Sequence, residues 1–156
     1  MKTVNETTPL SESLFLKRNA FLSIAIGMSI ISVIAAKYSK YAFNDMGGVA
    51  FSIGIMAGLC IVFLIVMLIK TMKVIPKAKG AWMYGNYQDE YFNHINHRAY
   101  KYAFNLTASV VAIFYLMELM ITLPSWLVTQ FSSLVLISLF LTYGISILVW
   151  LRQEHE

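Results

Sequence analysis

Apolar residues in this chain come in four long runs, and nowhere in the alternation that marks a half-buried strand. The runs cover 19–36, 47–69, 104–123 and 126–151. A helix rises about 1.5 Å per residue, so a hydrocarbon layer of about 30 Å takes roughly 20 apolar residues to cross. Each run has about that length. Backbone amides and carbonyls in lipid find partners only within a helix or a closed barrel, and without period-2 patterning the helix is expected. The first run is the shortest. Its polar leader is long for a signal peptide and 34–36 is a poor cleavage site, so a retained anchor is expected.

The pattern predicts an all-α, polytopic membrane protein with four transmembrane helices arranged as two hairpins. A tail at 1–18 precedes the first hairpin at 19–69. A connector at 70–103 leads to the second hairpin at 104–151, and 152–156 form a short C-terminal tail. Gly85 divides the connector. Pro76 and Gly80 lie before it, whereas 88–103 lacks both residue types and is expected to be an amphipathic helix that runs into the third span. Asp89 and Glu90 at its start suit the unpaired amides and positive dipole end of a helix N-terminus.

Composition agrees. The 156 residues are 58% hydrophobic and 13% charged, against about 45–50% and about 25% in soluble domains. No Asp, Glu, Lys or Arg occurs anywhere in 119–151. These values exclude an ordinary soluble domain and a disordered chain. The single cysteine, Cys60, excludes a disulfide scaffold.

Charge then sets orientation. Every Lys and Arg except Lys37 and Lys40 falls in the tails or the connector. The positive-inside rule places both termini and the connector in the cytoplasm. Tyr38, Tyr41, Trp82, Trp126 and Trp150 fall near span ends, where interfacial aromatics collect. The net charge of +4 is thereby a topology signal, and no nucleic-acid partner is expected.

Small residues recur at intervals of four, which lets helix backbones approach in lipid. Ala50, Gly54 and Gly58 form such a stripe in the second span, Ser138, Thr142 and Ser146 in the fourth, and Ser23 with Gly27 in the first. Packing inside one four-helix bundle is the preferred reading. A seam between copies of the chain is the alternative.

Two constellations are candidates for chemistry. Glu118 is the one acid or base well inside a span, about 9 Å from its outer end. At that depth Thr129, Gln130, Ser132 and Ser133 are its expected neighbours, with Lys37 or Lys40 approaching from the first loop. A carboxyl there reads as a proton or cation site, or as a side chain that reaches the outer surface. Glu90, His94, His97 and Lys101 share one face of the connector helix. Carboxylate and imidazole one turn apart are metal-ligand types, but a solvated face is preferred and no metal is expected. Tyr87, Tyr91, Ile95, Ala99 and Tyr102 make a separate apolar stripe. No nucleophile elbow, phosphate loop, CxxC, HExxH or dinucleotide fingerprint occurs. Neither an enzyme nor a cofactor is expected.

The pair Asp89-Glu90, a polar helix and then Arg98-Ala99-Tyr100-Lys101-Tyr102-Ala103-Phe104 together resemble a motif of small prokaryotic membrane proteins of unknown function. Tyr91 stands where those proteins usually carry a basic residue. The resemblance covers roughly 87–150 and implies four spans in two pairs, set in the cytoplasmic (inner) membrane of a prokaryote. Some such proteins are encoded beside small helix-turn-helix regulators.

The expected function is a binding or regulatory component that works through the basic, aromatic connector, with Tyr87, Glu90, Tyr91, His94, His97 and Lys101 meeting a partner. The bilayer, a protein partner or further copies of the chain are the expected neighbours. A small homo-oligomeric transporter or channel using Glu118, with Gln130 a further intramembrane polar residue, is the alternative, as is a structural subunit of a larger membrane complex. Orientation is directly testable. A reporter fused to either terminus should read out the cytoplasm, and one inserted between Lys40 and Gly47 the opposite side. Opposite signals from the two termini would rule out an even number of spans.

Overall fold

The structure, a computed structural model, describes residues 8–42, 47–74, 87 and 89–153. Most of the connector, with Pro76, Gly80, Trp82 and Gly85, lies outside the described residues, as do the ends of both tails and the side chain of Tyr41.

Four helices make up the described chain, and it holds no strand: α1 (Thr8–Ala42), α2 (Gly47–Met72), α3 (Glu90–Met120) and α4 (Ser125–Gln153). Each is long and apolar enough to cross a membrane, so the chain is a multi-pass membrane protein by length and composition.

The helix bounds have local causes. α1 begins well before the first apolar run, because Phe15 and Leu16 give its early turns a buried face. Pro9 falls in the first turn, where a missing amide hydrogen costs nothing. α1 also continues through Lys37 to Ala42, so the first loop is shorter than the hydropathy pattern predicts. α3 is one unbroken helix across the end of the connector and the third span, as expected. Its N-cap, Asp89, accepts a bond from the Tyr91 amide at 2.9 Å. It stops at Ile121, whose extended backbone (φ −141°, ψ 150°) precedes Pro124. The Pro124 carbonyl then accepts the first bond of α4, from the Leu127 amide at 2.9 Å.

Hydroxyls inside the apolar stretches are satisfied by their own helices. Ser52, Thr71, Ser109 and Thr129 each donate to the carbonyl one turn earlier, at 2.8–2.9 Å. Other hydroxyls link neighbouring helices. Ser29 Oγ donates to the Cys60 carbonyl at 3.2 Å, joining α1 to α2, and the Thr107 and Ser138 hydroxyls join α3 to α4 at 3.2 Å.

The helices lie antiparallel in the order α2, α1, α4, α3. α1 and α4 form the middle, and they approach closely at Gly144. A Cβ on Gly144 would lie 2.6 Å from the Ala20 carbonyl oxygen and 2.7 Å from Ile24 Cγ1. Gly27 faces Leu141 in the same crossing. The buried core gathers at one end, where α1 and α3 begin and α4 finishes; this is the basal end. Phe15, Leu16 and Ala20 meet Ile95, Ala99 and Ala103 there, with Tyr143 and Ile147 of α4.

Among the described residues nothing packs against Gly54 or Gly58. A Cβ at either position would meet no atom within 4 Å. The α2 residues that are buried are Ala57, Met67 and Thr71, on another side of the helix.

The two glycine environments give opposite expectations. Gly144→Ala should lower stability by about 1–3 kcal/mol, the usual cost of overpacking. Gly54→Ala should be neutral or raise stability by up to about 1 kcal/mol, because alanine is the better helix former. Thermal unfolding in one detergent, followed by far-ultraviolet circular dichroism, compares them. Equal transitions for both variants would remove Gly144 from the crossing.

Candidate functional site

The basal part of α3 is held by a buried polar framework. Glu12 on α1 is 1% exposed, and its Oε2 accepts a bond from the Asp89 amide at 3.1 Å. An acid in the first turn of the same helix often makes this bond in a capping box. Here α1 supplies it, so the start of α3 is tied to the start of α1. Beside it Tyr87 is buried, its ring 6.4 Å from that of Phe15.

About two turns further along, Asn96 is 1% exposed. Its Oδ1 accepts from the Tyr143 hydroxyl at 2.8 Å, and that oxygen accepts in turn from Asn19 Nδ2 at 3.3 Å. The Tyr100 ring lies 4.6 Å from that of Tyr143. Three helices therefore share one hydrogen-bonded chain, and buried amides and hydroxyls need such partners. Burial holds the Tyr87 hydroxyl well above the ordinary tyrosine range, with Tyr100 and Glu12 adding to the effect.

This framework turns the opposite side of α3 outward. His94, His97, Arg98, Lys101, Tyr102 and Asn105 line an open cavity of about 490 Å³. The Arg98 guanidinium sits 3.5 Å from the centroid of the Trp150 ring of α4, a cation–π contact. Tyr102 stacks on the same indole, with centroids 6.3 Å apart and planes 25° apart. The face thus combines two permanent cations, two imidazoles and two aromatic rings.

Residues singled out in the sequence separate into distinct places. His94, His97 and Lys101 come together in the cavity. Glu90 and Tyr91 are exposed beside it, Tyr91 edge-on to Phe92 at 5.5 Å. Tyr87 is buried and does not share their surface. Of the apolar stripe, Ile95 and Ala99 are buried together with Asn96 and Ala103, while Tyr91 and Tyr102 face outward. No three His, Cys, Asp or Glu side chains converge as metal ligands among the described residues.

Glu118 is exposed near the end of α3. Gln130 is elsewhere, lining a cavity of about 370 Å³ with Ser29, Lys37 and Ser133, walled by Ile30 and Leu64. Gln130 and Ser133 of α4 share that cavity with Lys37 of α1, and Glu118 does not line it.

Sequence reasoning passed over Glu12, Asn96, Tyr143, Arg98 and Trp150 as a group. One signal was present: Asn96 falls at helical spacing within the Ile95, Ala99, Ala103 face, a polar residue among apolar ones. No known protein family, curated protein or solved structure matches this chain.

Tyr87 yields a pH test. The unfolded chain ionises this hydroxyl near the ordinary value of about 10, whereas the folded chain holds it neutral to higher pH. Its contribution is intact below about pH 10 and is lost as pH rises further. Wild-type stability should therefore fall between pH 9 and pH 11, and Tyr87→Phe should flatten the fall. Denaturation midpoints at the two pH values measure this, and an identical slope in both proteins would contradict it.

Proposed function

We propose that the protein is an integral membrane binding component that holds an anionic partner on the basic, aromatic face of α3. The observation that carries this reading is the cavity of about 490 Å³ around His94, His97, Arg98 and Lys101, set on a helix whose far side is fixed by buried hydrogen bonds. Cationic and hydrogen-bond-donating groups gathered on one surface favour a negatively charged ligand. A face fixed in advance loses little conformational freedom on binding.

The positive-inside rule supports a cytoplasmic position for this face, with both termini on that side, and the resemblance to small prokaryotic proteins supports the cytoplasmic membrane of a prokaryote. A regulatory role follows the same logic. The face gathers Arg98, Lys101 and two histidines at the end of a membrane-spanning helix, so a partner captured there is brought to the membrane. The four-span layout and the Asp89–Phe104 stretch support placement among the uncharacterised small four-span proteins that the sequence resembles.

The test uses the tagged protein, extracted gently from native membranes. Intact-mass measurement then identifies the anionic species that remain bound, in wild type and in Lys101→Glu. Wild type should retain such a species, lipid or acidic protein, and the variant should lose at least tenfold of it without a change in unfolding midpoint. Equal retention by both would refute the reading.

A further inference from the structure

The cavity on α3 does not end at Asn105. Immediately below it, Phe104, Ala108, Val111 and Tyr115 of α3 line a second, apolar groove of about 420 Å³, closed on one side by Leu139 of α4. His97, Lys101, Phe104, Ala108, Val111 and Tyr115 are spaced alternately four and three apart, so they lie along one side of the helix. The stripe is basic at its basal end and apolar below.

Its depth is fixed by α4. Trp126 and Trp150 stand about 36 Å apart along that helix, slightly more than the thickness of a hydrocarbon layer of about 30 Å. Each has an aromatic neighbour: Tyr38 lies edge-on to Trp126 at 5.7 Å, and Tyr102 stacks on Trp150 at 6.3 Å. Such pairs belong at the two interfaces of a bilayer. Arg98, which contacts Trp150, then lies at headgroup level, with His97 and Lys101 beside it. The apolar groove starts where the acyl chains start.

We propose that this stripe binds one anionic phospholipid of the leaflet at the basal end. Its phosphate is held by His97, Arg98 and Lys101, and one acyl chain lies in the groove from Phe104 to Tyr115. The inference rests on the reading of this face as an anion-binding surface and names the anion. A soluble acidic peptide fits the upper cavity alone and leaves the groove unexplained. A lipid accounts for both, and for their shared register.

The experiment supplies dioleoyl phosphatidylglycerol and dioleoyl phosphatidylcholine in equal amounts to the purified full chain in detergent. Native mass measurement counts the lipids retained. The tails are identical, so any preference reads the headgroup. Wild type should retain phosphatidylglycerol in preference to phosphatidylcholine. Each basic side chain removed at a membrane surface should cost roughly fivefold, so Lys101→Gln should lower the preference by about that factor and His97→Gln/Lys101→Gln by more. Ala108→Trp fills the groove from an exposed position. It should reduce retention of both lipids while leaving their ratio unchanged.

Equal retention of the two lipids by wild type overturns the proposal, as does a ratio unaffected by the double variant. Displacement of phosphatidylglycerol by glycerol phosphate at equal concentration also overturns it, because the chains would then contribute nothing. An acidic protein retained by wild type and lost from Lys101→Glu, without lipid preference, overturns the lipid assignment and leaves the proposed function standing. Retention of neither overturns both.

Discussion

The arrangement depends on the backbone contact between α1 and α4 at Gly144. Hydrocarbon is as apolar as leucine, so helices in lipid gain nothing from hiding leucine from it. What holds them is close packing and the hydrogen bonds that close packing permits. Gly144 has no side chain, and the Ala20 carbonyl and the Ile24 side chain occupy the space a Cβ would take. Only at that separation do Leu16 and Ile147 become fully buried, and only then do Asn19 on α1 and Tyr143 on α4 come within 3.3 Å. α2 and α3 add to the outside of this pair, each chiefly on its own neighbour.

From that contact the polar framework follows. Tyr143 is directed by α4 toward Asn96, and Glu12 by α1 toward the first amide of α3. Asn96, Tyr143 and Glu12 are tolerated in the core because they are paired, and pairing in a low-dielectric setting makes each bond more costly to break. The framework gathers at the basal end, where the core also gathers. α3 is therefore held along its inner side, and its outer side gathers His94, His97, Arg98 and Lys101, with Arg98 on the Trp150 ring.

The rest of the surface is a solvent statement. Phe51, Leu59 and Val62 of α2 and Ile113, Leu116 and Met120 of α3 are all exposed. On a soluble monomer apolar patches of that extent are rare. Around helices whose backbone bonds are internally satisfied they are what a hydrocarbon solvent accepts. The exposed Gly54 and Gly58 belong to the same surface. Small residues at intervals of four permit a close contact without specifying one. Which stripe is used depends on which faces the other helices occupy.

Hydropathy by itself determined the number of helices, their apolar lengths and the continuity of α3, because these depend on local composition and on residues such as Asp89, Glu90 and Pro124 that begin or end a helix. It also brought His94, His97 and Lys101 to one side, since helical periodicity is a local property. It did not reveal that Tyr87 turns inward, that Gln130 faces α1 rather than Glu118, or that Glu12 reaches α3 across the chain. Nor did it distinguish Gly144 from Gly54 and Gly58. Each of these depends on the rotation of one helix relative to another. In lipid that rotation is not set by burial of apolar surface, since nearly every face is apolar. It is set by steric fit at a few close contacts and by a few hydrogen bonds between residues distant in sequence, and those exist only once the helices are assembled.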